Sequence, residues 1–167
     1  NLADHKSLNG RSNKLRQRLW KIRAKKVILA TGAIERPLIF NNNDRPGVML
    51  ANSVKKYIDY FGVRCGNKNV IFTNNDSAYE TAISLNKKGI NVTIVDIRDN
   101  SSSILVKNAK DAGIKIYWNH TVVDTKGYRK IKSIQIMKMS DDGTNVIGTK
   151  INLVCDNLSI SGGWTPM

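Results

Sequence analysis

The chain has 167 residues, of which 41% are hydrophobic, so it can bury one ordinary core or two small ones. It contains no apolar run near the roughly 18 residues of a membrane-spanning helix and no signal peptide, and its two cysteines, Cys65 and Cys155, lack a CxxC spacing. These features argue against a membrane span, a disulfide framework, a zinc site and a redox-active dithiol, and they predict a cytoplasmic setting.

The formal net charge of +14 has two explanations. One is a surface for nucleic acid or an acidic partner, and the other is a composition rich in scattered lysines. Residues 13–26 are the only dense basic stretch and alternate between two faces like a strand. A solvated hairpin face, a polyanion site and a contact with a missing domain or subunit all stay open for this stretch. Because the other lysines are scattered, nucleic acid is the less favoured partner.

The first part of the chain predicts one buried strand. Residues 1–13 are polar and form either a hairpin arm or a disordered tail, and residues 16–22 are predicted to be a strand. Residues 25–30 are a short continuous apolar run that ends in Thr31-Gly32. Such a run predicts a strand that is buried on both faces, as in a parallel sheet.

The middle of the chain predicts a strand–helix–strand unit. Residues 35–47 hold two prolines and several asparagines, which favours a loop, and hydrophobic spacing predicts a helix over residues 49–61 that Gly62 ends. The next three predicted elements are a strand at residues 70–72, a helix at 77–88 and a strand at 92–95. This order implies a parallel crossover.

The last part changes from helical spacing to alternation. The predicted elements are a helix at residues 102–112, a strand at 114–117, an antiparallel meander at 122–124, 131–139 and 145–153, and a final strand at 158–160. The whole pattern predicts an α/β fold with a Rossmann-type parallel sheet and an antiparallel β-meander.

The loop of the central βαβ unit lacks the glycines of a dinucleotide site. Thr73, Asn75 and Ala78 stand where three small residues are expected, and Asp76 places a carboxylate near the helix N-terminus, where it would cap the helix and repel a pyrophosphate. Asp96 ends the second strand, where a ribose-binding acid belongs. A dinucleotide site, a structural remnant and a site for a smaller or uncharged ligand all remain open. The residues of this second candidate nucleotide site are Asn74, Asn75 and Asp96.

Two glycine turns follow predicted strands, in the sequences ATGA and SGGW. A strand that ends in such a turn delivers open backbone to the carboxyl edge of a parallel sheet, where ligands bind in this class of fold. The predicted cofactor-binding residues are Thr31, Gly32, Ala33, Gly162 and Gly163. His120, Trp118, Trp164 and Cys65 are predicted to have packing or surface roles.

The pair of turns around a βαβ-plus-meander unit is typical of flavoproteins with two dinucleotide-binding domains. The chain is therefore predicted to be a fragment in three parts. Residues 1–62 close a first domain of the FAD/NAD-binding type, residues 63–160 form a second, inserted domain, and residues 161–167 return to the first domain.

The joint occurrence of ATGAIERP, NNDRPGVML, TNNDSAYETA and LSISGGWTP makes residues 17–167 resemble the alpha subunit of heterotetrameric sarcosine oxidases. The resemblance implies oxidative demethylation of sarcosine to glycine, a one-carbon unit and hydrogen peroxide. It implies NAD in the alpha subunit, FAD and FMN in the whole complex, other subunits as partners, and an earlier glycine-rich βαβ unit that this chain does not contain. The chain would then bind cofactor without being catalytic alone, and no catalytic or metal-binding residue is expected in it.

Two other functions remain open. A related amine, opine or proline dehydrogenase subunit would share the two-domain plan. A basic polyanion-binding module would explain the net charge, and its binding would weaken steeply with added salt.

Overall fold

A computed structural model describes residues 19–167 and divides the chain into two units, residues 1–31 and residues 32–167. In the first unit, residues 19–31 are exposed and contain no helix or strand. The predicted strand at residues 25–30 is therefore wrong, and the exposed fractions of Val27, Ile28 and Leu29 are 76%, 91% and 82%. A strand buried on both faces needs paired neighbours, so an apolar run alone does not make one.

The other predictions for the N-terminal region lie mostly outside the described residues. These are the arm or tail at residues 1–13 and the first part of the strand at 16–22. The described part of this predicted strand, residues 19–22, has no strand structure.

The second unit contains three helices and ten strands among its described residues. In chain order they are β1 (Ala33–Glu35), β2 (Val48–Leu50), α1 (Ala51–Tyr60), β3 (Lys68–Thr73), α2 (Ser77–Lys87), β4 (Asn91–Asp96), α3 (Ile104–Asp111), β5 (Lys115–Trp118), β6 (His120–Lys126), β7 (Ser133–Met139), β8 (Val146–Val154), β9 (Asn157–Ser161) and β10 (Trp164–Pro166). No helix in residues 19–167 is both long and apolar enough to cross a membrane.

The central sheet has five parallel strands in the order β2-β9-β3-β4-β5. Strands β3 and β4 are neighbours joined by α2, which confirms the predicted βαβ unit. Strands β6, β7 and β8 form the predicted antiparallel meander. The α/β fold with a Rossmann-type sheet is thus confirmed.

The sheet lies between two apolar layers because its side chains alternate between two faces. Ile71 and Ile94 pack with residues of all three helices, whereas Val70 and Phe72 pack against the meander. Val106 of α3 belongs to the helical layer. The carboxyl ends of β3, β4 and β9 consequently meet at one edge of a rigid, two-sided core.

Strands β1 and β10 form a separate two-stranded antiparallel ribbon, with Ala33 opposite Pro166 and Glu35 opposite Trp164. The sequence did not predict β1, β2 or β10, because three residues are too few to show alternation. Strand β2 and helix α1 belong with the five-stranded sheet, although the predicted division at residues 62/63 placed them in the first domain. The three-part division remains a prediction.

Candidate functional site

The structure brings the two glycine turns together. Gly162 N donates to Arg36 O at 2.7 Å, and Arg36 N donates to Gly163 O at 2.8 Å. At the other end of the ribbon, Met167 N donates to Gly32 O at 3.1 Å. Of the five predicted cofactor residues, Ala33 lies on the ribbon, Gly32, Gly162 and Gly163 lie next to its strand ends, and Thr31 belongs to the other unit.

The three glycines are needed for different reasons. Gly32 has a φ of +79° and no atom lies within 4 Å of where its Cβ would stand. A Cβ on Gly162 would come within 3.0 Å of the carbonyl oxygens of Arg36 and Pro37, and Gly163 has a φ of +92°. Gly162 is thus required by the packing of the chain itself, whereas Gly32 combines a left-handed backbone with the open space that a bound group needs.

Arg36 adds a positive charge to these turns. Its guanidinium Nη2 lies 3.3 Å from the Cβ position of Gly163, and the side chain is exposed. Within residues 19–167 it forms no ion pair. A guanidinium matches phosphate geometry well, so Arg36 is a candidate contact for the anionic part of a ligand.

Glu35 connects strand β1 of the ribbon to helix α1. Its side chain is buried, and Oε2 accepts a hydrogen bond from Asn52 N at 2.9 Å. Helix α1 has Leu50 at its N-cap with no side-chain hydrogen bond, so Glu35 supplies the missing cap from another strand. Sequence reasoning missed this role, because nothing local links Glu35 to α1.

The glycine-poor loop is filled by its own side chains. Asn75 Nδ2 donates to the carbonyl O and to Oγ of Ser161, both at 3.1 Å, and Ser77 Oγ donates to Asn75 Oδ1 at 2.6 Å. Thr73 Oγ1 accepts from Asn75 N at 3.1 Å and donates to Asn75 O at 3.0 Å. Asn75 does not adopt a positive φ. The exposed Asn74 contributes only an acceptor for Asn75 Nδ2 at 3.2 Å.

The carboxylate of Asp96 is also occupied. Asp96 is fully buried, and its Oδ2 accepts from Tyr79 OH at 2.7 Å. Arg98 donates from N and Nε to Oδ1, both at 3.0 Å, and from Nη2 to Oδ2 at 2.8 Å. Burial and the hydrogen bond to Asp96 raise the pKa of Tyr79 far above its usual value, so the phenol stays a donor.

Arg98 links Asp96 to the start of α2. Arg98 Nη1 lies 2.8 Å from Asp76 Oδ1, which also accepts from Ser101 Oγ at 3.0 Å. Burial alone would raise the pKa of Asp76, but the hydrogen bonds from Arg98 and Ser101 and the charge of Arg98 lower it. The predicted capping of α2 by Asp76 is wrong, because its side chain makes no cap hydrogen bond and turns to Arg98 instead.

These contacts decide whether a dinucleotide fits the second candidate site. A ribose-binding acid must keep a free oxygen for the hydroxyl groups, and both oxygens of Asp96 are taken. The pyrophosphate would need the space that the Asn75 amide occupies. The side chains of the glycine-poor loop therefore fill the positions that a pyrophosphate and a ribose would take at the second candidate site. Cofactor binding at the glycine turns stays a prediction.

The remaining polar candidates have structural surroundings. His120 Nδ1 lies 2.6 Å from Trp118 O, and the Trp118 ring stacks on Tyr79. Burial raises the pKa of Cys65, and burial together with the charge of Asp156 raises that of Cys155 to about 12, so neither thiol is activated. No cluster of three or more His, Cys, Asp or Glu side chains in residues 19–167 could hold a metal ion.

The fold and the paired turns agree with the family to which the chain belongs, the pyridine nucleotide-disulphide oxidoreductases, whose pattern matches residues 4–166. The sarcosine oxidase subunit alpha of Corynebacterium sp. (strain P-1) is 38% identical over 154 residues, which are 91% of this chain and 16% of that protein. The corresponding subunit of Rhizobium meliloti (strain 1021) is 36% identical over 152 residues, 90% of this chain and 14% of that protein. The resemblance read from the sequence is confirmed, and the chain spans only about a sixth of the curated relatives' length.

Solved structures of other proteins share the fold. A thioredoxin reductase from T. acidophilum has a TM-score of 0.64 at 19% identity and covers 81% of this chain and 43% of its own. A thioredoxin reductase from Giardia duodenalis has a TM-score of 0.63 at 24% identity and covers 80% of this chain and 42% of its own.

Proposed function

We propose that the chain is a segment of the alpha-type subunit of a multi-subunit, flavin-dependent sarcosine oxidase. The observation that carries this proposal is the 36–38% identity to sarcosine oxidase alpha subunits over about nine-tenths of the chain. The whole complex would convert sarcosine to glycine, a one-carbon unit and hydrogen peroxide, as a cytoplasmic heterotetramer that holds FAD and FMN elsewhere.

In this proposal the chain contributes an NAD-binding scaffold at the ribbon. Gly32 and Ala33 would face the cofactor on one side, with Gly162 and Gly163 on the other, and Thr31 stays a predicted cofactor residue. A bound nicotinamide dinucleotide supplies a hydride-accepting ring. The protein's own residues bind and orient it, with open backbone at Gly32 and a cation at Arg36, and none of them donates or removes a substrate proton.

The activity is tested with the full-length protein and its partner subunits. Peroxide should form faster with sarcosine than with proline or an opine, and this chain alone should form none. Preference for proline or an opine would favour a related dehydrogenase instead, and peroxide from sarcosine with this chain alone would contradict the scaffold role.

The cofactor position is tested by removing the charge of Arg36. Arg36→Gln in the full-length protein should weaken NAD binding about tenfold, because a charge-assisted phosphate contact is lost. Arg129→Gln is the matched control, since Arg129 is exposed and far along the chain on another turn. Isothermal titration measures both, and equal affinities in wild type and Arg36→Gln would remove Arg36 from the site.

A further inference from the structure

We propose that residues 73–77 form a hydrogen-bonded clamp on the turn at residues 161–164, in the place where a βαβ unit of this fold class holds a nucleotide. The family is named for pyridine nucleotides, yet this loop carries Thr73 and Asn75 where glycines are expected. The clamp gives these two side chains a function that a nucleotide loop cannot use.

The clamp is a continuous relay of four side chains. Trp164 Nε1 donates to Ser77 Oγ at 2.9 Å, and Ser77 Oγ donates to Asn75 Oδ1 at 2.6 Å. The Asn75 amide nitrogen then donates to Ser161 O and Oγ, each at 3.1 Å. The donors from Trp164 to Asn75 each have an acceptor and the relay has a single direction, so its bonds support one another.

The residue types in the loop follow from the relay. Glycine in place of Asn75 would remove both the acceptor for Ser77 and the donor for Ser161. Glycine in place of Thr73 would remove the hydroxyl that holds the Asn75 backbone through two hydrogen bonds. The same two side chains fill the space that a pyrophosphate would need, so clamp and nucleotide exclude each other.

The ribose position is closed by a second, separate cluster. Tyr79 and Arg98 saturate the buried carboxylate of Asp96, and Arg98 also pairs with Asp76. Losing only one partner of a buried carboxylate is strongly unfavourable, so this cluster does not open for a ribose. The pyrophosphate and ribose positions are therefore filled by different side chains, and the Arg98–Asp76 pair links the two clusters.

The clamp acts on the ribbon that carries the glycine turns. Ser161 directly precedes Gly162 and Gly163, and Trp164 is the first residue of β10. The opposite strand is held by Glu35, which caps α1. Both strands of the ribbon are thus tied to helices of the central unit, one at α1 and one at α2. The clamp forms whether or not a cofactor binds at the turns.

The test is amide hydrogen exchange of the full-length protein, read on the segment 161–167. Asn75→Ala should speed exchange there by roughly tenfold, because two hydrogen bonds to Ser161 are lost, and Ser77→Ala should have a smaller effect in the same direction. Ser77→Thr keeps the hydroxyl and should restore slow exchange. Asn152→Ala is the matched control, because Asn152 is exposed on β8 and has no side-chain hydrogen bond within residues 19–167.

Two further exchange measurements complete the test. Amide exchange in β4 reports whether each variant is folded. If a variant is folded and its exchange at residues 161–167 is unchanged, the clamp is overturned. The second measurement adds NAD or NADP to the wild type. Protection that appears at residues 73–79 and 96–98 would show a nucleotide in the loop and would overturn the proposal, whereas unchanged exchange there supports it.

Discussion

Tyr79 is a single side chain that occupies an oxygen of Asp96 which a ligand would otherwise bind. Its hydroxyl donates to Asp96 at the end of the neighbouring strand, and its ring is fully buried against Trp118. A small residue at this position would leave Asp96 with an oxygen for a ligand. The sequence did contain a signal for this contact. In a parallel βαβ unit, an aromatic hydroxyl near the start of the helix lies close to an acid at the end of the second strand.

Tyr79→Phe is expected to lower the free energy of unfolding by about 1–3 kcal/mol, since it removes a buried hydrogen bond to a carboxylate without changing the shape of the core. Tyr128→Phe is the control, because Tyr128 is 88% exposed. Urea unfolding of the full-length protein measures both, and equal losses for the two variants would contradict the role given to Tyr79.

Asp76 provides a pH-dependent contribution. Its pKa is lowered in the folded protein, so its stabilising effect is present above the unfolded value near about 3.9 and disappears as the pH falls through the folded value. Because its side chain is 37% exposed, the effect should stay below about 1 kcal/mol. Asp76→Asn should be less stable than wild type at pH 7, and the difference should shrink as the pH is lowered below about 3.9, as measured by urea unfolding. A difference that does not change with pH would rule out this ion pair as its cause.

At the scale of elements, the prediction worked where the pattern was local. The three helices and the seven longer strands show periodicity, and glycines such as Gly89 and Gly113 stop two of the helices with a positive φ. It failed where an element depends on a distant partner. Residues 25–30 have the composition of a buried strand but are in no strand. The short strands β1 and β10 form because they pair with each other, and β2 forms because it pairs with β9.

Helix α3 begins with a side-chain cap from Ser103, whose side chain also hydrogen-bonds Asp76. Ser103 Oγ accepts from Leu105 N at 3.2 Å, so Ser103→Ala should cost about 1 kcal/mol of unfolding free energy. Ser102→Ala, one residue earlier, removes an exposed hydroxyl without a hydrogen bond in the described part of the chain and should cost less than about 0.5 kcal/mol. Thermal unfolding of the pair compares them, and equal costs would show that the cap does not stabilise α3.

At the scale of the whole molecule, the sequence could place the glycine turns but not their surroundings. Two glycine turns more than a hundred residues apart were predicted to meet at the carboxyl edge of a parallel sheet, and they lie together instead because the antiparallel strands β1 and β10 pair. The sequence could not foresee Arg36 and Glu35 beside these turns, or the side chains that fill the second candidate site, because those contacts follow from the packed sheet. The net charge of +14 favours negatively charged partners in general and does not specify one of them.

The central claim is that the ribbon, and not the glycine-poor loop, holds the dinucleotide. The most direct measurement is a crystal structure of the full-length protein with NAD bound. The account predicts the dinucleotide against Gly32 and Gly163, with a phosphate near Arg36 and the Asn75–Ser161 hydrogen bonds intact. A dinucleotide lying across residues 73–77 with its ribose on Asp96 would contradict it.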